Sequence, residues 1–186
     1  KRRADEGATM IFIHKLVADD LFFSIVQVLD HLSLNIVDAR IPISTGNQSF
    51  YTFVVLEASG HPVGERPARI DQIRTALEKY MHPGTASLAP AQRRTPRLLK
   101  QFKLKTEVTI RTDASGDHSI LEVIAPDRPG LLSIIDSIFV SLNISLLNAR
   151  ITTLGERVED LFHITNACGE PITSELDMTE LQQRIQ

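Results

Sequence analysis

The chain has a single cysteine, Cys168, in 186 residues. That excludes an internal disulfide and a CxxC metal site, and it is compatible with a reducing cytoplasm, where the chain is expected to reside. No run of about 18 apolar residues occurs, so no membrane-spanning helix is predicted. A formal charge of -3 leaves no global basic field to recruit nucleic acid or an acidic membrane. The opening KRRADEGA has no initiator Met and no apolar segment behind its charges, so it does not begin like a secretory leader, and the chain reads as a piece of something larger. Catalytic signatures are missing too: there is no GxSxG elbow, Walker loop, GxGxxG or HExxH. The six histidines, His14, His31, His61, His82, His118 and His163, are scattered without zinc-ligand spacing. Asp19 and Asp20 read as acids at a helix start, suited to the positive end of its dipole. Asp160, in a hairpin, reads as solvated or paired. What remains is a binding region rather than a catalyst, with 42% hydrophobic residues, enough for one or two ordinary cores.

What is present is a repeat. Sliding the sequence over itself by 110 positions aligns Thr9 to Ile41 with Ser119 to Ile151 without a gap. Six positions are identical: Leu21/Leu131, Ile25/Ile135, Leu32/Leu142, Ala39/Ala149, Arg40/Arg150 and Ile41/Ile151. Many others exchange one apolar residue for another, so the two halves read as one unit used twice.

Each unit has the same pattern. Met10 to His14 and Ile120 to Ala125 are β-rich runs. Helical spacing follows in Leu21, Ile25, Val28, Leu32 and in Leu131, Ile135, Ile138, Leu142. Two hairpins come next: Asn35 to Ser44 with Ser49 to Leu56 around TGN, and Ile144 to Thr153 with Val158 to Thr165 around GER. Second helices start at Pro67 and near Ser174, where Ser174 and Asp177 have capping-box-like spacing. The order β-α-β-β-α, with one more strand, predicts an α+β fold of two ferredoxin-like βαββαβ units, each an antiparallel sheet with helices on one face. Thr106 to Thr112 either closes the first unit or opens the second through Asp113 to Asp117, and the second unit reads as ending without a final strand of its own. The boundaries are 9–82, a linker at 83–105, and 106–186. The linker holds three prolines and six basic residues, Arg93, Arg94, Arg97, Lys100, Lys103 and Lys105, and no acid; it reads as solvated.

The turn between strand and helix in the second unit is Asp127-Arg128-Pro129-Gly130. Pro129 fixes φ, Gly130 allows close approach of the backbone, and the helix start offers N–H donors to a carboxylate. Asp127 offers an acceptor to an ammonium group. Together they match a free α-amino acid, with a plain Asp127 N-cap as the alternative.

DRPGLLSIIDSIFVSLNISLLNARI resembles the ACT domain, a ferredoxin-like module that commonly binds amino acids where two such domains meet. ARITTLGERVEDLF, FKLKTEVTI and IVDARIPISTGNQSFYTFVVLEASG extend the resemblance to the C-terminal tandem-ACT region of the bacterial PII uridylyltransferase/uridylyl-removing family. It covers nearly the whole chain. The resemblance implies glutamine as the ligand, favouring removal of UMP from the PII protein over its addition. It implies nucleotidyltransferase and phosphohydrolase domains upstream, using Mg and UTP, with no catalytic residue or cofactor in this segment. ACT pairing between copies, as a homo-oligomer, is also implied.

Mapped residue by residue, the ACT turn falls on Asp127, Arg128, Pro129, Gly130 and Leu131. The same offset puts Val17, Ala18, Asp19 and Asp20 in the first unit, without the Asp and Pro-Gly features. ACT pairs of the serine-sensing type complete the site with an Asn at the start of the neighbour's second strand; that position is Asn35 here and Ser145 in the second unit. One good site, Asp127 to Leu131 facing Asn35, and one degenerate site, Val17 with Ser145, are expected. The rival is an RNA-recognition motif, because Phe50, Tyr51 and Phe53 echo an aromatic RNA-binding strand. The acidic VEDLFHIT at the matching place argues against it.

Overall fold

A computed structural model describes residues 2–3, 7–15, 21–41, 48–64, 66–80, 105–128 and 130–186. The expected linker lies outside them apart from Lys105, so Arg93, Arg94, Arg97, Lys100 and Lys103 are not placed. The first unit contains β1 (Arg2–Arg3), β2 (Ala8–Lys15), α1 (Phe22–His31), β3 (Leu34–Arg40), β4 (Ser49–Glu57) and α2 (Pro67–Tyr80). The second contains β5 (Glu107–Thr112), β6 (Ser119–Pro126), α3 (Leu131–Ser141), β7 (Ser145–Leu154), β8 (Arg157–Thr165) and α4 (Glu175–Ile185).

The apolar spacing in α1 and α3 buries one stripe of each helix, including Phe22, Ile25 and Leu29 in the first and Leu131, Ile135 and Phe139 in the second. Both helices stop two residues before a left-handed backbone, Ser33 (φ 60°) and Asn143 (φ 51°), which are repeat counterparts. In α3 the stop is a Schellman-type turn, with Ile144 N–H donating to Phe139 O at 2.8 Å. Ser174 caps α4, its hydroxyl accepting from Asp177 N–H at 3.4 Å.

The fold is α+β and ferredoxin-like as expected, and of the two places left open for strand 106–112 the structure takes the second, opening the second unit. The order is ββαββα rather than βαββαβ. β5 pairs with β6 as a hairpin, Glu107 opposite Ile124 and Thr112 opposite Ser119. It occupies the outer edge beside β6, the place a closing strand would take. Strand 107–112 therefore belongs to the second unit, which is not short of a strand. The cause is local: Asp113 accepts from Ser115 N–H (2.9 Å) and Ser115 Oγ (2.8 Å), and Gly116 sits at φ 79°. Closing this short turn costs less chain entropy than returning a strand to a distant unit.

All the strands join one eight-stranded sheet in the order β1-β2-β4-β3-β7-β8-β6-β5, with antiparallel pairing throughout. Contacts α2–α1, α1–α3 and α3–α4 line the helices up in a single layer. At the seam Ala39 faces Ile151 and Arg40 faces Arg150. Ala-Arg-Ile is the run that both repeats share, so the repeated sequence pairs with itself about a pseudo-twofold through the two arginines. Ile41 N–H donates to Ala149 O at 3.2 Å, and Thr153 Oγ1 to Ile36 O at 3.1 Å. Beneath the seam the core is continuous. Phe23 meets Phe139 edge-on at 5.8 Å, Phe139 meets Phe162 at 5.7 Å, and Phe22 stacks on Phe53 at 5.6 Å. No described helix is long and apolar enough to cross a membrane.

Candidate ligand site at the seam

The turn after β6 is tied down from below, where Asp127 N–H donates to Glu156 O at 2.8 Å in the β7–β8 hairpin. The chain then turns through Gly130 at φ 79°, a backbone that favours glycine, and α3 starts at Leu131. Leu131 N–H donates to Arg128 O at 3.2 Å. No side chain caps this helix among the described residues, so the Asp127 N-cap alternative is not what forms. Asp127 is left to face the seam, where burial pushes its carboxyl above the usual range. Pro129 lies outside the described residues.

Asp127, Arg128, Gly130 and Leu131 line a cavity of ≈ 90 Å³ together with Asn35 and Ile36 of β3 and Val26 and Asp30 of α1. The structure thus brings five of the sequence-predicted residues to one place, from both units. The volume lies well below the ~300–1,000 Å³ of drug-sized sites, which suits a small polar molecule. Three of the lining residues carry buried polar atoms that no protein group satisfies: Ser133 Oγ, Arg128 Nε and both carboxylate oxygens of Asp160. Buried polar atoms usually have partners, because leaving them without one costs on the order of 1–3 kcal/mol each.

Asp160 corrects the sequence reading, which expected it solvated or paired. It is 1% exposed, and neither oxygen makes a hydrogen bond. Burial pushes its carboxyl up to about 7; the backbone N–H of Thr152 opposes this in part, and the nearby Asp127 adds to it. The signal was available in the strand's alternation, because Val158, Asp160, Phe162 and Ile164 share the buried face of β8.

The counterpart site in the first unit is different. Val17 lies outside the described residues, and Ser145 is exposed at the start of β7. Ala39 pairs with Phe53 as Ala149 pairs with Phe162, so Tyr51 stands where the second unit has Asp160. Tyr51 is 2% exposed, and its hydroxyl accepts from Leu21 N–H at 3.3 Å. Leu21 is the repeat counterpart of Leu131. Phe23, buried, stands in the place of Ser133. Aromatic side chains fill this end where the second unit has polar ones.

The remaining candidates do not form a site. Tyr51 and Phe53 face the core, leaving Phe50 on the outer face stacked on His14 at 4.7 Å, so the aromatic trio is no base-stacking platform. His118 Nε2 and His163 Nδ1 approach to 2.7 Å, a pairing that the cross-strand register creates and the sequence spacing hides. Burial first, then the neighbouring His118, lowers the His163 pKa. No group of three or more metal-ligating side chains occurs among the described residues. A wider, mostly apolar groove of ≈ 610 Å³ lies between β2 and α2, along Phe12, Ile70 and Leu77.

No family model matches the chain. Over 184 residues, 99% of its length, it is 44% identical to the bifunctional uridylyltransferase/uridylyl-removing enzyme of Stutzerimonas stutzeri, and it spans 20% of that protein. The enzymes of that name from Azotobacter vinelandii and Ectopseudomonas mendocina are 44% and 45% identical over 100% and 99% of the chain, which again spans 20% of each. A solved structure of an unknown protein from Galdieria sulphuraria covers 96% of this chain and is itself covered over 91%, at 12% identity and a TM-score of 0.31, too distant to bear on fold or role.

Proposed function

From a chain that is homologous along its length to one fifth of the bifunctional uridylyltransferase/uridylyl-removing enzymes, we propose that this segment is the amino-acid sensor of such an enzyme, with glutamine as the ligand. It is a tandem ACT pair at the C-terminal end, and its ligand favours removal of UMP from the PII protein. Transfer and hydrolysis, with Mg and UTP, belong to domains upstream in the same cytoplasmic enzyme. The segment itself catalyses nothing.

The observation that carries this reading is the composite cavity, in which Asp127, Arg128, Gly130 and Leu131 of one unit face Asn35 of the other. Gly130 and the start of α3 suit the carboxylate, and the acidic lining suits the ammonium. A ligand that touches both units binds best when β3 and β7 are paired, so it stabilises that pairing by its differential affinity. A coupling of about 1–3 kcal/mol is enough to bias catalytic domains attached to the segment. The β3 and β7 edges already meet within one chain, so this site needs no second copy.

Calorimetric titration of glutamine into this chain tests the reading. Binding to the wild type, weakened about tenfold or more in Asp127→Ala and Asn35→Ala, is expected. Equal affinity in all three proteins would remove the site.

A further inference from the structure

Resting on that amino-acid reading, we infer that Asp160 receives the ligand's ammonium group and is the residue that selects an amine over its deaminated analogue.

Asp160 lies on the buried face of β8 against the cavity, and both its oxygens are buried and without a hydrogen-bond partner. An ionised carboxylate only accepts, so it needs donors, and a buried one needs a positive charge. Arg128, the one basic residue lining the cavity, leaves its Nε unbonded and turns no hydrogen bond toward Asp160. The other charged groups lining the cavity are Asp127 and Asp30, both acidic. Ser133 Oγ, Arg128 Nε and the first turn of α3 suit the anionic end of a zwitterion. Its cationic end is then left for the acids, of which Asp160 is the most deeply buried. Asp127, half-buried at the turn, keeps contact with water and is the weaker acceptor.

The fold does not require an acid at this position. In the first unit it holds Tyr51, whose hydroxyl meets Leu21 N–H, and the strand and helix around it have the same form. An ammonium arriving beside Asp160 holds it ionised, and a carboxyl that titrates near neutrality then gives up a proton to solvent.

The experiment compares L-glutamine with glutaramate, which is glutamine without its amino group, on wild type and Asp160→Asn. Wild type is expected to prefer glutamine by about 30-fold or more, and Asp160→Asn to lose glutamine affinity by a similar factor while glutaramate changes by about twofold at most. Calorimetry at pH 7 in two buffers of different ionisation enthalpy should show proton release on glutamine binding to wild type and little in Asp160→Asn. That measurement on wild type does not depend on the variant folding. If glutamine binds wild type and Asp160→Asn alike, or if both ligands weaken equally, or if no proton is released by wild type, the assignment of Asp160 is wrong while the amino-acid reading stands. If glutamine does not bind wild type at all, the reading itself falls, and the inference with it.

Discussion

The two halves share a fold, a seam and a helix stop, and differ most at one end of each helix. Around the start of α3 the second unit places Asp127, Ser133 and Asp160. At the matching positions near α1 the first unit has buried Phe23 and Tyr51 in place of Ser133 and Asp160; in sequence alone, Val17 corresponds to Asp127. One end is a polar cavity, and the other is core. Phe23 for Ser133 and Tyr51 for Asp160 turn polar lining into core, while the sheet and helix that carry them are held elsewhere, by the Phe22, Phe53, Phe139 and Phe162 contacts and by the self-paired Ala-Arg-Ile runs. The filled end adds to stability, while the open end retains polar groups that folding alone does not satisfy, as binding sites commonly do.

The harshest way to break the comparison is to remove what the halves hold in common. Phe139 touches Phe23 across the seam and Phe162 within its own unit. Phe139→Ala is expected to destabilise the chain by about 3–5 kcal/mol in urea unfolding. A loss below about 1 kcal/mol would mean that the halves do not share a core.

Next come two carboxylates, half-buried Glu57 in the first unit and buried Asp160 in the second, with opposite responses to pH. Glu57 accepts from Arg69 Nε (2.9 Å) and Nη2 (2.8 Å), and Arg69 also reaches Leu32 O at 2.7 Å. The Arg69 hydrogen bonds, more than the opposing burial, hold the Glu57 carboxyl below its usual range. Its contribution is present above the ordinary carboxylate pKa and is lost as pH falls through the lowered one. Arg69→Ala should cost about 2 kcal/mol at neutral pH and flatten that acid loss. Asp160 behaves in the reverse sense. Its folded pKa is raised, so the folded state holds the proton longer, and stability falls as pH climbs from about 4 to about 7 and then levels off. Wild type minus Asp160→Asn should decline across that window by up to about 1.4 kcal/mol per pH unit. A flat difference curve would show that Asp160 is not held protonated.

Much of this could be read from the residues. The repeat, the helical stripes, the hairpins and the Ser174 cap follow from spacing and turn chemistry. So does the proximity of Asn35 to the Asp127 turn, once two like units are set side by side. The position of β5 could not be read, because a strand at a sheet edge carries the same alternating pattern whichever unit it joins; only the Asp113–Gly116 turn decides it. Asp160 was misplaced for another reason: charge argued for solvent, while the alternation of β8 argued for burial, and in a half-buried strand the alternation prevailed. The degenerate site was expected from Val17, yet what fills it is Tyr51, a residue on a different strand that no local motif marks.

Tyr51 provides the mildest and most selective test of the contrast. Its ring packs in the first unit's core, and its hydroxyl accepts the N–H of Leu21, the residue that precedes α1. Tyr51→Phe keeps the ring and removes the acceptor, so a cost of about 1 kcal/mol is expected, with an unchanged denaturant slope. Glutamine affinity should stay the same, because Tyr51 does not line the seam cavity. If the change is neutral, the first unit's turn is held by ring packing alone. If it weakens glutamine, the two ends are coupled through the seam, and the first unit is more than a scaffold for the second.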